Sequence, residues 1–343
     1  MNRFPPVTRR CLALLFVVSG SLLSSAHLFA ADVDLAKSTP SGAVFFAEVS
    51  GLDVWIDKLQ HSPLVASLPS NPQVQAFYAS PQGRKADAGR KMIENQVGMD
   101  LWTLAKTAFG GRVSIALYPH EGRKEPDAVI AVQVKDVASL DKIRERVAPL
   151  LTLIEEQITN TTGPGNVPVR SISGKVFIAE QADWIVAAST SELMNRTLTL
   201  RAATATDGSK SLADDAPFAA MVKQVGEKHL VRSYINLQLV TQAMNGRLGP
   251  EKLDNPGLSL LLGGIYELAN RSPFFASTLD LDDQRLVIRH EIAGKPESLG
   301  EKFASQFVTP GKPDAGFLPP VPGLIGGWIL QRDFADWYKR REE

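Results

Sequence analysis

The sequence has almost no cysteine, and this absence excludes several kinds of chemistry. Its single cysteine, Cys11, lies in a segment that we expect to be removed from the mature protein. The mature chain can then form no intramolecular disulfide, no thiolate zinc site and no cysteine nucleophile. Four histidines occur beyond the first thirty residues, and they are far apart in the sequence: His61, His120, His229 and His290. Because metal ligands are grouped at helical or hairpin spacing, we predict no metal site.

An excess of charge of one sign is also missing, as are the short motifs of common enzymes. Without its first thirty residues the chain has 34 basic and 37 acidic residues, a net charge of −3, which argues against nucleic acid as a partner. The chain contains no Gly-x-Ser-x-Gly nucleophile motif and no P-loop. We therefore predict no catalytic residue and no cofactor or cofactor-binding residue. A non-catalytic protein is favoured over an enzyme.

The first thirty residues have the pattern of an export signal. A positive start is followed by an apolar run that ends at Leu23 and then by small residues; the positive charges are Arg3, Arg9 and Arg10. This order is typical of a secretory signal peptide, and cleavage is expected after Ala30 or Ala31. A retained amino-terminal anchor is the alternative. No later apolar run reaches the roughly 20 residues of a spanning helix, so we expect an extracytoplasmic mature chain without a transmembrane segment.

Hydrophobic periodicity predicts an α+β fold with mostly antiparallel sheets packed against helices. Apolar and polar residues alternate most clearly in a hairpin with strands over 113–117 and 130–134. Asp100 and Asp136 lie where helix caps are expected. The predicted order is a strand over 43–49, a helix over 52–59, a helix-favouring region over 71–94, a helix over 100–109, a hairpin with strands over 113–117 and 130–134, and a helix over 136–154.

The next part of the chain is predicted to contain a surface loop, three short strands and one helix. The loop covers 160–166, where two glycines and a proline occur. The Ser189-Thr190-Ser191-Glu192 sequence is typical of a capping box at the start of the helix, which buries Leu193 and Leu198. The three strands are predicted over 167–172, 175–180 and 184–188.

Beyond the small, polar stretch over 202–215, the same order of elements returns. A strand over 230–237, helices starting at 239 and 258, a hairpin over 275–292 and a helix from Leu299 repeat the order seen over 43–154. We therefore predict two diverged strand–helix–hairpin–helix units. The predicted divisions are a signal over 1–30, a first unit over 31–210, a second unit over 211–309, and a proline-rich link with a terminal strand and helix over 310–343, which could also begin a third unit.

Glu48 is the most conspicuous carboxylate, because it lies inside an otherwise apolar strand. It shares a strand face with Phe46, since alternate side chains point to the same side. An acid facing a cleft is one interpretation. An edge or solvent-facing position is the favoured one.

Several short segments resemble a family of exported bacterial proteins that is catalogued as a domain of unknown function. They are the opening strand over 38–52, Ser62-Pro63-Leu64, Val97-Gly98-Met99-Asp100, Gly110-Gly111 and the strand over 184–188. The resemblance covers roughly residues 39–200. It implies an exported α+β protein, and it brings no known catalytic or ligand-binding residues.

These observations favour an exported, non-catalytic protein that acts as a scaffold, an interaction module or a ligand-binding module. A first alternative is a carrier or chaperone for an apolar ligand or an exported partner, with strands 43–49 and 175–188 lining a groove. A second alternative is an exported hydrolase with an unrecognised site, for which Glu48 is the first candidate. The sequence thus leaves the partner undefined, with another protein or an apolar ligand as the two possibilities.

Overall fold

A computed structural model describes most of the chain between Asp34 and Leu299. The described residues are 34–120, 122–123, 125–138, 140–142, 145, 157–181, 183–202, 208–244, 246–248, 256–282, 285–294 and 299. The predicted signal over 1–30 and the predicted terminal segment over 310–343 lie outside them, as does most of the helix predicted from Leu299.

In the described residues ten strands form a single sheet, and every pair whose register is defined is antiparallel. The order across the sheet is β10-β9-β8-β1-β2-β3-β7-β6-β5-β4. Helices pack against it, which confirms the predicted α+β class. The strands are β1 Phe45–Ser50, β2 Arg112–Tyr118, β3 Asp127–Gln133, β4 Ile158–Gly163, β5 Val167–Ile172, β6 Val176–Gln181, β7 Trp184–Ala188, β8 Val231–Asn236, β9 Phe274–Asp282 and β10 Arg285–Ile292.

The three strands on either side of the junction of β1 and β8 correspond in their order, while β7, β6, β5 and β4 lie on one side only. On one side of this junction β1 is followed by the hairpin β2-β3, and on the other side β8 is followed by β9 and β10. β1 and β8 are antiparallel, with Phe45 opposite Ile235 and Val49 opposite Val231. The strand-then-hairpin order that the sequence shows twice thus runs outward from this junction in both directions.

The prediction of a surface loop over 160–166 is wrong for the first half of that range. Residues Ile158–Gly163 form β4, and only Pro164–Asn166 make the turn into β5. The prediction failed because the residues from Thr159 to Thr162 are all polar, and both faces of the strand are exposed. Such a strand has no apolar alternation by which it could be recognised.

The helices lie mainly in two parts of the chain, the connection between β1 and β2 and the stretch that follows β7. The predicted cap at Asp100 is confirmed, since its Oδ1 accepts a hydrogen bond from the Thr103 N–H. The predicted capping box is wrong by one residue, because Thr190 and not Ser189 caps the helix Ser191–Arg201, and Thr190 Oγ1 accepts a hydrogen bond from the Leu193 N–H. The helices are α1 Leu35–Ser38, α2 Leu52–Gln60, α3 Pro63–Ser67, α4 Pro72–Ala79, α5 Pro81–Val97, α6 Leu101–Phe109, α7 Ser191–Arg201, α8 Ala216–Val225, α9 Leu237–Ala243 and α10 Pro256–Arg271.

One face of the sheet is covered by α1, α7 and α8, and it holds the most deeply buried side chains. Phe218 of α8 contacts Phe46 and Tyr234 edge-to-face, with ring centroids 5.5 and 5.2 Å apart. Edge-to-face aromatic pairs of this kind stabilise a core beyond the area that they bury. The fully buried large side chains include Leu35, Phe46, Trp184, Met194, Leu198, Phe218, Met221 and Tyr234.

The opposite face is covered only in part. A cluster that includes Val132, Ile178 and Ile185 packs against Val97 at the end of α5 and Leu140. On β1 and β2 the side chains of this face are only half-buried; they are Phe45, Ala47, Val49, Val113, Ile115 and Leu117.

The first described residues are fixed firmly to the rest of the chain. Leu35 is fully buried, and Thr39 and Ser41 exchange backbone hydrogen bonds with Leu212 and Lys210. The segment therefore crosses from the sheet to the residues that precede α8.

The described chain falls into two compact units. One contains the residues up to Ile235 together with Ala276–His290, and the other contains Asn236–Phe275 and the described residues from Glu291 onward. Within the second unit, the Asn270 side chain bonds the backbone N–H and C=O of Leu248. The boundaries predicted from the sequence stay a prediction. No helix in the described residues is long and apolar enough to cross a membrane.

Candidate functional site

Glu48 lies at the centre of the sheet, not at its edge. Its strand, β1, is flanked by β2 and β8, and Glu48 lies opposite Ser114 on one side and Arg232 on the other. The side chain points to the face that α8 covers and is only 5% exposed. The favoured expectation of an edge or solvent-facing position was therefore wrong. The alternation of the sequence correctly placed Glu48 on the same strand face as Phe46. It did not show that helices cover this face.

Two guanidinium groups surround the Glu48 carboxylate. Arg112 Nη1 lies 3.7 Å from Oε1, and Arg232 Nη2 lies 4.0 Å from Oε2. Arg232 is as deeply buried as Glu48, and its guanidinium lies 5.6 Å from the Phe218 ring centroid. A buried charge is tolerated only when opposite charges compensate it, and here each charge compensates the other. The arrangement therefore makes Glu48 an ion-pair partner inside the core.

The histidines lie in separate local contacts. His120 Nδ1 donates to Asp127 at 2.7 Å, His229 Nδ1 donates to Asp280 at 2.8 Å, and His290 Nδ1 lies 2.7 Å from the Ser277 hydroxyl oxygen. Each pair joins a loop or strand to a neighbouring strand, which is a structural use of histidine. No group of three His, Cys, Asp or Glu side chains that could hold a metal ion occurs in the described residues.

The second candidate site is the helical connection, which we define as residues 52–109 between β1 and β2. Three of its helices begin with the same device: a capping side chain followed by proline at the first helical position. Ser62, Asn71 and Ser80 are the caps, at intervals of nine residues, and each side chain accepts a backbone N–H from the first turn of its helix. These helix starts are therefore stabilised locally and do not depend on burial.

Two helices of the helical connection, α4 and α5, bury few of their residues. α4 contains no buried residue, and in α5 only Gly83 and Val97 are buried. Among the described residues, seven of the ten exposed large hydrophobic side chains belong to this connection: Val54, Leu68, Phe77, Tyr78, Met92, Leu101 and Trp102. Single exposed apolar residues are ordinary, but their concentration in one segment of the chain makes this segment the candidate interaction region.

Phe77 and Tyr78 form the most exposed aromatic pair in this connection. They are 50% and 54% exposed, and their rings contact edge-to-face with centroids 5.5 Å apart. Behind them, α4 turns so tightly into α5 that a Cβ atom at Gly83 would come within 2.0 Å of the Phe77 carbonyl oxygen. Glycine is therefore required at this position, and the close turn fixes the place of the two aromatic residues.

The charges of the helical connection are balanced and mostly paired. It contains six basic and five acidic residues. Arg90 bonds both Asp87 and Glu94, and Lys106 Nζ lies 2.9 Å from Asp57 Oδ1. The exposed apolar side chains therefore lie on a surface without a strong charge of either sign.

Sequence reasoning identified this region as helix-favouring but did not identify its aromatic residues as candidates. A usable signal was present. Phe77 and Tyr78 are adjacent in a short helix of eight residues, Met92 stands in a largely polar helix, and both helices have separate cap-and-proline starts. Helices of that kind have no broad apolar face with which to cover such residues.

Comparison with known proteins gives no family for the chain. No family model matches it, and a comparison with curated proteins finds no match. The suggested family of exported proteins of unknown function therefore stays a prediction.

The chain is similar to solved structures of the protein TP0453. For crystal form III the TM-score is 0.38 at 9% identity, over 79% of this chain and 84% of that chain. For crystal form IV the TM-score is 0.36 at 10% identity, over 76% and 80%. Similarity at this level supports no functional argument.

Proposed function

We propose that the protein is an exported, non-catalytic binding protein whose helical connection binds an apolar surface of another exported protein. The concentration of exposed large apolar side chains in residues 52–109 is the observation that supports this most directly. Export is supported by the pattern of the first thirty residues.

The way in which the helical connection is stabilised also supports the proposal. Helices that depend on burial lose their shape when their apolar side chains are exposed, whereas a capped helix start is stabilised by its own residues. Here Asn71 and Ser80 cap α4 and α5 while both helices remain largely exposed. The aromatic pair is thus held in place before a partner binds, which lowers the entropic cost of binding.

The absence of a strong charge in the helical connection defines the chemistry of the partner. A surface of this kind gains affinity by burying aromatic and apolar side chains, and Tyr and Trp are enriched in protein interfaces. Phe77, Tyr78 and Trp102 fit that description. We therefore propose a protein partner with a complementary apolar patch.

Photo-crosslinking in the native host tests this proposal. Benzoylphenylalanine placed at Phe77 should yield one discrete cross-linked product, and the product should disappear when Tyr78→Ser and Met92→Ser are added. The matched control is the same probe at Ile288, which is 58% exposed but lies on β10. Absence of a product at Phe77, or the same product at both positions, would refute the proposal.

The proposed export has its own test. The intact mass of protein isolated from the host should correspond to a chain that begins at Ala31 or Asp32, after cleavage at Ala30 or Ala31. A full-length mass would instead mean that the segment is retained.

The structure fits only one of the two strand segments that the carrier alternative requires. The apolar side chains of β1 on the partly covered face are only half-buried, which fits a surface for an apolar ligand. β7, in contrast, is buried at every position and is packed on both faces, so it does not line an open groove. Native mass spectrometry of the protein isolated from its host should show bound ligand if this alternative holds.

A further inference from the structure

β4 differs from every other strand with a defined burial pattern, because none of its residues is buried. Thr159 and Thr161 point to one face of the sheet and Asn160 and Thr162 to the other, and all four are exposed. β4 is also the last strand of the sheet and is bonded only to β5 among the described strands. It is held at its end, where a Cβ atom on Gly163 would come within 2.6 Å of the Leu198 side chain.

The pairing of β4 with β5 shows which backbone groups point outward. The Ser173 N–H donates to the Gln157 carbonyl, and Pro168, opposite Thr162, has no N–H to donate. Hydrogen-bonded pairs alternate along an antiparallel ladder, so the odd-numbered residues of β4 bond to β5. The N–H and C=O groups of Ile158, Asn160 and Thr162 therefore point away from the sheet.

The two edges of the sheet differ in charge. β10 carries Arg289, His290 and Glu291, and charged side chains are a common means of preventing edge-to-edge pairing. β4, with the sequence Ile-Thr-Asn-Thr-Thr-Gly, has no charge and no proline. Its threonines are β-branched and favour a strand in any pairing. Its outer edge thus lacks the usual obstacles to accepting another strand.

We propose that β4 pairs antiparallel with the β4 of a second copy of the chain, with Asn160 on the two-fold axis. In this register Asn160 lies opposite the partner's Asn160, Ile158 lies opposite the partner's Thr162, and Thr159 lies opposite the partner's Thr161. The outward groups of residues 158, 160 and 162 then form the ladder. Every cross-strand contact is neutral, and threonine pairs and amide pairs are favourable neighbours.

Self-pairing is favoured over a different strand by the composition of β4. In an isologous pair, each residue near the axis meets itself or a close neighbour, so any charge there would be opposed by a like charge. A strand without charge avoids this repulsion in a two-fold contact. A pair of different strands could instead carry opposite charges on the two partners. The nearest charge within the β4-β5 pair is Arg170, opposite Asn160 on β5. In the dimer it would stand three strand spacings from its counterpart, about 14 Å, beyond the Debye length of about 8 Å at physiological salt.

Single-cysteine crosslinking of the full chain, with Cys11 replaced by serine, tests this register. The Cα atoms of a hydrogen-bonded antiparallel pair lie about 5.5 Å apart, within the range of a disulfide. Asn160→Cys should therefore give a disulfide-linked dimer on mild oxidation. Thr161→Cys is the matched control: the two copies of residue 161 lie about 8 Å apart across the axis, too far for a disulfide. Ile288→Cys controls for the other edge.

Charge substitutions give a second readout that does not depend on oxidation. Dimerisation of the unmodified chain should appear by sedimentation in a concentration series up to about 1 mM. Asn160→Lys should abolish it, and mixing Asn160→Lys chains with Asn160→Glu chains should restore a mixed dimer. Since Asn160 is exposed, neither substitution should change the thermal midpoint, and the rescue would exclude misfolding as the cause of the loss.

Three results would overturn the proposal. One is a monomer at every concentration together with no dimer from Asn160→Cys. Another is equal crosslinking of Asn160→Cys, Thr161→Cys and Ile288→Cys, which indicates random collision. The third is crosslinking of Asn160→Cys to a different protein in the host, which would assign the edge to another partner.

Discussion

Two sets of helices in this protein begin in the same way but contribute differently to it. α7 is capped by Thr190 and buries Leu193, Met194, Thr197 and Leu198 against the sheet. α4 is capped by Asn71 and buries no residue. The comparison shows that a cap determines where a helix starts, whereas burial determines how much the helix stabilises the fold. We assign stability to the layer of α7 and α8 and binding to the helical connection.

The largest expected loss of stability is for a substitution in the layer of α7 and α8. Phe218→Ala removes a fully buried ring that contacts Phe46, Tyr234 and the Arg232 guanidinium. Truncation of a buried phenylalanine lowers the free energy of unfolding by about 3–5 kcal/mol. Urea unfolding followed by far-ultraviolet circular dichroism measures the change. A loss below about 1 kcal/mol would contradict the assignment of stability to this layer.

The buried ion pair on the same face is expected to have a similar or slightly smaller effect. Glu48→Gln removes the charge that compensates Arg232, and breaking a buried pair on one side costs about 3–5 kcal/mol. The double substitution Glu48→Leu with Arg232→Met removes the two most deeply buried charges and leaves the more exposed Arg112, so it should cost less than the single one. If the double variant is less stable than the single one, the ion pair makes a net contribution to stability beyond compensating the two buried charges.

A cap in the helical connection should have a smaller and pH-dependent effect. The Thr103 hydroxyl and backbone N–H donate to the Asp100 carboxylate and hold its pKa below the usual value. Asp100→Ala should lower the free energy of unfolding by about 1 kcal/mol at pH 7. Because the folded pKa is lower than the unfolded value of about 3.9, this stabilisation is complete above that value and is lost as the pH falls through the folded pKa.

The measurement for this cap compares wild type, Asp100→Ala and Asp100→Asn in urea at pH 7 and at about pH 2. The difference between wild type and Asp100→Ala should shrink at the lower pH. Asp100→Asn, which caps without titrating, should show no such change. An effect of Asp100→Ala that is independent of pH would mean that the carboxylate charge is irrelevant to the cap.

The smallest effect on stability is expected at the aromatic pair. Phe77→Ala is the same chemical change as Phe218→Ala, but at a side chain that is half exposed. The free energy of unfolding should change by less than about 0.5 kcal/mol. With benzoylphenylalanine at Tyr78 instead, Phe77→Ala should also give less of the crosslinked product expected from the helical connection. A large loss of stability would show that Phe77 belongs to the core and would remove the distinction between the two sets of helices.

Local sequence signals predicted most elements, because caps, turns and alternation act over a few residues. The β2-β3 hairpin followed from alternation, and α6 followed from Asp100 and Gly110. β4 was missed because strand pairing, not an apolar face, defines it. The burial of Glu48 was missed because β1 is flanked by β8, a strand that is distant in the sequence. Pairings of that kind depend on the whole fold, and no local pattern encodes them.

The position of β8 beside β1 has a consequence for the order in which the protein can fold. The β2-β3 hairpin and the strands from β4 to β7 join neighbours along the chain, so they can form as soon as they are synthesised. β1 is made early, yet its second partner lies beyond residue 230. Long-range contacts of this kind slow folding, because a large loop must close first. Until it closes, β1 has one open edge with an apolar sequence, and this interval is when the nascent chain is most vulnerable to aggregation.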